Sequence, residues 1–174
     1  VPEGNPTDRL TPRKREIVTE ARAILEEHGP TALTMRALAD RLGIKAPSLY
    51  KHFPDKAALE LELIVLSFQE IADTLEKADG SLATLLQAYR DYALAHPHLY
   101  RLNTDRPLPR ASLPEGLEAR ASAPLLRVCG GDADTARAAW AFAHGMVILQ
   151  LNDRFPADAE LARAWETGAD AFEG

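Results

Sequence analysis

Helix breakers crowd the stretch from residue 29 to residue 54, at Gly29-Pro30, Gly43, Pro47 and Pro54, so any helix formed between them is short. Isolated helices below about 12 residues are marginal in water. These pieces must therefore be held by packing on one another and on longer neighbours. Upstream, Thr11 and Pro12 open a helix over 12 to 28 as N-cap and first-turn proline, with Ile17, Ala21, Ile24 and Leu25 on one face. Gly29-Pro30 stops it. Thr34 caps a second helix, 35 to 41, with Leu38 and Leu42 inward, and Gly43 gives a tight turn. Pro47 marks the start of a third helix, 46 to 52, because a missing N–H is harmless only in a first turn. Phe53-Pro54-Asp55 ends that helix, and Asp55 caps a long fourth helix to about residue 77, with Leu61, Ile64, Val65, Phe68, Ile71, Ala72 and Leu75 inward.

After a break at Asp79-Gly80-Ser81 the periodicity predicts a fifth helix to about 95 and a short one near 97 to 103. "NTDRPLPRASLPEG", 103 to 116, has three prolines and no apolar period and reads as a loop that can cover something. Helices near 115 to 129, 134 to 152 and 158 to 173 complete an all-α chain. Composition agrees, since aromatics make up 6% of the 174 residues and Ala, Leu, Glu and Arg dominate. One cysteine, Cys129, permits no internal disulfide and no cysteine-based zinc site. A reducing cytoplasm is expected. The opening "VPEGNPTDRLTP" reads as a polar tail rather than a signal peptide, and the uncharged run 138 to 152 is shorter than the roughly 20 residues of a membrane span.

The net charge of −6 argues against indiscriminate nucleic-acid binding, yet residues 1 to 56 carry +2 and the remainder −8. That asymmetry points the head at a localised anionic partner. Two short helices joined by a glycine turn and backed by an amphipathic helix make a helix-turn-helix, whose second short helix enters the DNA major groove. Ala39 lets the two helices approach closely. In "LGIKAPSLYKHFPDKAAL", 42 to 59, Leu49 and Phe53 share a buried face and leave Ala46, Pro47, Ser48, Tyr50, Lys51 and His52 on the others, with Lys45 and Lys56 flanking. Ala46 and Pro47 can meet a thymine methyl, Ser48 a base edge or phosphate, and Tyr50, His52 and Lys56 phosphate oxygens. Arg36 can fork onto a guanine edge.

The segment "TALTMRALADRLGIKAPSLYKHFPDKAALELEL", 31 to 63, resembles the DNA-binding domain of the tetracycline-repressor (TetR) family of bacterial transcription regulators. Thr34, Leu38-Ala39, Leu42-Gly43, Ser48-Leu49-Tyr50, His52-Phe53 and Lys56 carry the resemblance without a gap. It implies phosphate contacts from Thr34, Tyr50, His52 and Lys56, and base-facing roles for Arg36, Ala46, Pro47 and Ser48. Where some members read a base with a polar side chain, this chain has Ala46, which thins direct readout. The resemblance also implies a division into a 10–56 DNA-binding head and a 57–174 body that binds a small molecule and dimerises.

Helix 134 to 152 is apolar nearly all round after Arg137, so one side should meet its own core and the other a second subunit, with helix 158 to 173 as companion. Val147, Leu151, Leu161, Trp165 and Ala169 are the interface candidates. Trp140 with His144-Gly145 resembles a subclass carrying a Trp-His-Gly signature, in which a helix-interior glycine permits a close helix contact. Phe68, Tyr89, Tyr92, Tyr100, Trp140 and His144 are the candidates for lining an effector cavity. No cofactor is implied, and His96 and His98 have no third ligand nearby for a metal. Ser48 and Lys51 fit a Ser-x-x-Lys pattern, but the Ser-Asp-Asn and Lys-Thr-Gly elements of those enzymes are absent. The reading is a homodimeric repressor of a palindromic operator, released by a small-molecule effector. A constitutive DNA-binding dimer and a small helical enzyme stay open as alternatives.

Overall fold

The computed structural model describes residues 9 to 78 and 80 to 172. Most of the expected polar tail, Asp79 and the last two residues lie outside them. Nine α-helices are formed among the described residues: α1 (Pro12–His28), α2 (Met35–Arg41), α3 (Ala46–Tyr50), α4 (Lys56–Lys77), α5 (Leu82–Ala95), α6 (Pro97–Thr104), α7 (Leu117–Val128), α8 (Ala133–Leu151) and α9 (Leu161–Asp170). They form two compact units. One comprises the chain up to Glu70 together with His96–Glu115, and the other Ile71–Ala95 together with Gly116–Gly174.

The first unit is built on short helices with explicit caps. Thr11 and Thr34 accept from the backbone N–H groups of Lys14 and Ala37, and Asp55 accepts from Ala58 at 2.7 Å, ahead of α4. Each satisfies an orphan donor of a first turn. At the C-terminus of α2 the Gly43 N–H donates to the Asp40 carbonyl at 3.1 Å and the Ile44 N–H to that of Ala39 at 3.0 Å. This pair of hydrogen bonds is the Schellman stop, and it requires Gly43 at φ +64°. A Cβ there would meet nothing within 4 Å among the described residues. Gly43→Ala is therefore expected to cost about 1 kcal/mol through backbone strain alone. Urea denaturation checks this: an unchanged midpoint would mean the turn relaxes freely.

Ile17, Val18, Ala21, Ile24 and Leu25 of α1 meet Leu38 and Ala39 of α2, Leu49, Phe53, and Leu59, Leu63 and Ile64 of α4 in one core. Leu99 and Leu102 of α6 join it. The first unit thus recruits a helix from beyond the expected head boundary at residue 56. The cap of α6 also comes from a distance, because Glu26 of α1 accepts the backbone N–H groups of His98 at 3.4 Å and Leu99 at 3.1 Å. The segment 103 to 116, expected as a loop that can cover something, is tethered to the first unit. It contains a 3-10 turn at Arg110–Ser112, Leu108 and Leu113 pack on the core, and Arg106 pairs with Glu60 at 2.7 Å.

In the second unit α5 packs against α7, α8 and α9. Leu82, Leu85, Leu86, Tyr89, Tyr92 and Ala93 of α5 are buried, as are Ala136, Ala139, Ala143 and Val147 of α8 and Trp165 and Ala169 of α9. Arg120 of α7 pairs with Glu76 at 2.7 Å and with Asp73. Within the chain the glycine in close helix contact is Gly168, among the described residues. A Cβ on Gly145 would find nothing within 4 Å, whereas one on Gly168 would lie 2.0 Å from the Phe142 ring, which seats against Trp165 and Phe172. The last helix begins at Leu161 rather than 158.

Candidate nucleic-acid interface

α3 buries one side chain, Leu49, against α2 and the core, and that single anchor decides what the rest of the helix presents. Pro47, Tyr50 and Lys51 are exposed, and Ala46, Ser48 and His52 half-exposed. The helix ends at Tyr50, two residues short of the expected end. Lys51 and His52 fall in a following turn, closed by the N–H groups of His52 and Phe53 on the Leu49 carbonyl at 2.9 and 3.1 Å. Tyr50 is 48% exposed, unusual for a ring with no packing role on a small unit.

The remaining candidates sit around this helix. The Arg36 side chain is 92% exposed and only grazes Asp40 at 4.0 Å, so its guanidinium fork is available. Lys45 and Lys51 are exposed and make no ion pair among the described residues. Lys56 has structural duties, donating to the Pro30 carbonyl at 3.3 Å and pairing with Glu60 at 3.4 Å. Thr34 uses its oxygen as an acceptor from Ala37, which leaves the hydroxyl proton to donate. Arg9, at the edge of the polar tail, pairs with Glu62.

Arg41 stands out because sequence reasoning passed over it. Its guanidinium donates to Glu20 at 2.7 Å and to both oxygens of Glu27 at 2.7 and 2.9 Å, fastening α2 to α1. Hydrogen bonding to Glu27, then Glu20, raises the Arg41 pKa, and the same bond lowers that of Glu27 from its ordinary 4.5. A carboxyl whose folded pKa is depressed stabilises above its unfolded pKa and loses that contribution as pH falls through the folded one. Arg41→Met should therefore lower the Tm at pH 7, and the gap from the parent should close below about pH 4. A gap that persists in acid would mean Arg41 acts by packing its stem.

The other candidate residues divide between the units. Phe68 and Tyr100 belong to the first, and Tyr89, Tyr92, Trp140 and His144 to the second. Three of them meet: the Trp140 Nε1 donates to the Tyr89 hydroxyl at 3.2 Å and the Trp140 ring stacks on His144 at 5.8 Å. Among the interface candidates, Val147, Trp165 and Ala169 are buried inside their own unit and have no surface to offer a second copy. Leu151 and Leu161 are half-buried. The apolar face α8 turns outward is instead Ala138, Ala141 and Leu149, with half-exposed Gly145 between them.

No described helix is long and apolar enough to cross a membrane, and no group of three potential metal ligands is assembled among the described residues. A short exposed helix set by a glycine turn on two supporting helices is the geometry of a helix-turn-helix reader of DNA. Residues 17–63 match the family described as "Bacterial regulatory proteins, tetR family", and residues 82–172 match the "Tetracyclin repressor-like, C-terminal domain". The uncharacterized HTH-type transcriptional regulator Rv0681 of Mycobacterium tuberculosis is 32% identical over 153 residues, which span 79% of this chain and 70% of that protein. The crystal structure of SCO4313 superposes with a TM-score of 0.75 at 25% identity over 92% of this chain and 94% of that one. That of BioQ with its double-stranded DNA operator gives 0.61 at 23%, over 92% and 97%.

The chain belongs to the tetR family of bacterial regulatory proteins. Its family and its relatives are transcriptional regulators, not enzymes.

Proposed function

We propose that the protein is a cytoplasmic repressor that binds a palindromic operator as a homodimer and is released by a small-molecule effector. The observation that carries the reading is the exposed face of α3 with Arg36 and Tyr50, held by a core that includes α1, α2 and α4. Arg36, Ala46, Pro47 and Ser48 read bases, and Thr34, Lys45, Tyr50, Lys51, His52 and Lys56 hold phosphate. The fold shared with BioQ, solved on its operator, supports this, and the repressor-like C-terminal domain supports repression.

Dimerisation through α8 is supported by its exposed Ala138, Ala141 and Leu149, which with half-exposed Gly145 form an apolar seam with no charge between them. Two copies joined there carry two recognition helices to two half-sites. Tyr89, Tyr92, Trp140 and His144 of the second unit are the proposed effector contacts, and α4, which contributes to both units, is the covalent route by which their occupancy reaches the head. An effector that prefers one arrangement of α4 shifts the population of DNA-competent dimers.

Selection of bound duplexes from a random pool, run beside an Arg36→Ala, Tyr50→Ala variant, tests the reading. Enrichment of an inverted repeat by the parent alone is the expected result. Recovery of unrelated sequences by both proteins would remove operator recognition from this face.

A further inference from the structure

The first unit engages most of its arginines with its own carboxylates. Arg9 pairs with Glu62, Arg13 with Glu16, Arg22 with Glu70, Arg41 with Glu20 and Glu27, and Arg106 with Glu60. Three lysines stand apart, since Lys14, Lys45 and Lys51 make no ion pair among the described residues. Lys45 and Lys51 flank α3 and are already placed on phosphate. Lys14 belongs to α1 and has no role so far.

Its position on that helix is unusual for a cation. Lys14 precedes the buried Ile17 and Val18 by three and four residues, so it shares their core-facing side. Its ammonium lies over the Phe53 ring, 5.3 Å from the centroid. Phe53 is 2% exposed and closes the turn that carries Lys51 and His52, its N–H donating to the Leu49 carbonyl at 3.1 Å. The ammonium therefore stands beside the turn by which the chain leaves α3. The macrodipole of α1 disfavours a cation in the first turn, so helix stability does not account for the residue. Covering Phe53 accounts for the four-carbon stem and leaves the charge without a task.

We propose that Lys14 is a further phosphate contact of the DNA-reading surface. The Phe53 ring holds the stem, and the ammonium reaches a backbone phosphate near the one held by Lys51. A lysine already lodged on a ring loses less freedom on binding than one that swings freely. Since phosphate carries no sequence information, Lys14 sets affinity and the seat of α1 on the duplex and leaves base choice to α3 and Arg36. The assignment rests on the DNA-binding part of the proposed function and not on which sequence is chosen.

Lys14→Met keeps an unbranched stem over Phe53 and removes the charge. Its affinity for the selected duplex and for a scrambled one is measured by fluorescence anisotropy over a series of salt concentrations, beside Lys51→Met and beside Lys77→Met, an exposed lysine of the second unit. Each phosphate contact contributes about 0.9 to the slope of log affinity against log salt, so two protomers of Lys14→Met should lose about 1.8. Between about 50 and 200 mM salt the parent should then lose about twelvefold more affinity than the variant. Preference for the selected duplex and the Tm should match the parent, Lys14→Arg should restore the slope, and Lys77→Met should leave it unchanged. A parental slope in Lys14→Met, whatever its affinity, would overturn the assignment and leave Lys14 as a cover for Phe53. A lowered slope with loss of duplex preference would move Lys14 to a base edge and overturn it as well. A parent that binds both duplexes equally would overturn operator choice alone, and the slope of Lys14→Met on either duplex would still decide the phosphate contact. A parent with affinity for neither would overturn both.

Discussion

An Arg36→Ala, Tyr50→Ala variant is expected to bind the selected inverted repeat at least about a hundredfold more weakly than the parent, with its helical content and Tm unchanged. A guanidinium bidentate to guanine discriminates by about 1 to 3 kcal/mol, and a two-fold operator uses it twice, so Arg36 alone accounts for about 2 to 6 kcal/mol. Loss of the proposed Tyr50 phosphate contact should weaken all sequences alike, because backbone contacts carry no sequence information. Stability should hold, since the Arg36 side chain is 92% exposed and Tyr50 is 48% exposed, and surface changes of this kind usually stay within about 0.5 kcal/mol. Fluorescence anisotropy on the selected duplex and on a scrambled one, at two salt concentrations, separates the effects. Arg36→Ala alone should shrink the gap between the duplexes, and Tyr50→Ala alone should lower both affinities. An unchanged gap in the arginine variant would take Arg36 off the base edges.

The second large effect is expected at Ala141, the middle of the outward α8 face. Ala141→Arg brings like charges together across the proposed two-fold seam and should yield monomers by light scattering. Operator affinity should then fall about a hundredfold or more, because the second half-site is no longer tethered to the first. Gly145→Ala supplies the contrast. Among the described residues nothing lies within 4 Å of the added Cβ, so the subunit itself should gain about 1 kcal/mol of helix propensity while the proposed dimer loses close approach. A higher unfolding midpoint at low protein concentration, with weaker association, is the pattern expected of a seam glycine. Monomers in the unsubstituted protein, or dimers in Ala141→Arg, would sink the α8 interface.

Much of the head was legible because its signals are local. Thr11 with Pro12, Thr34, Gly43 and Asp55 each fix a helix end through a bond to a residue three or four positions away, and such bonds are written in short sequence windows. The exposed set on α3 followed from the shared buried face of Leu49 and Phe53. What stayed hidden depends on partners far along the chain. Arg41 reads as a generic helix-end cation until Glu20 and Glu27 are brought to it from α1. The tether of the 103–116 segment rests on two leucines set in a proline-rich, aperiodic stretch. On α8 the apolar period runs nearly all round the helix, so it could not tell Val147, which faces its own core, from Leu149, which faces out. Gly168 carries no mark of its role until Phe142 lies over it.

The path of the chain through the two units bears on how the protein is made. The first unit is interrupted, since the chain leaves it after Glu70, spends Ile71–Ala95 in the second and returns at His96. On the ribosome the DNA-reading helices emerge early, but Leu99 and Leu102, which complete their core, come some thirty residues after the excursion begins. Glu26 must likewise wait for the amides of His98 and Leu99. Contacts of such sequence separation are slow to form, because loop closure comes before any reward. A nascent chain stalled before residue 96 should therefore hold its recognition helix without the protection of the finished domain. Stalled past residue 115, it should become resistant to protease in a single step.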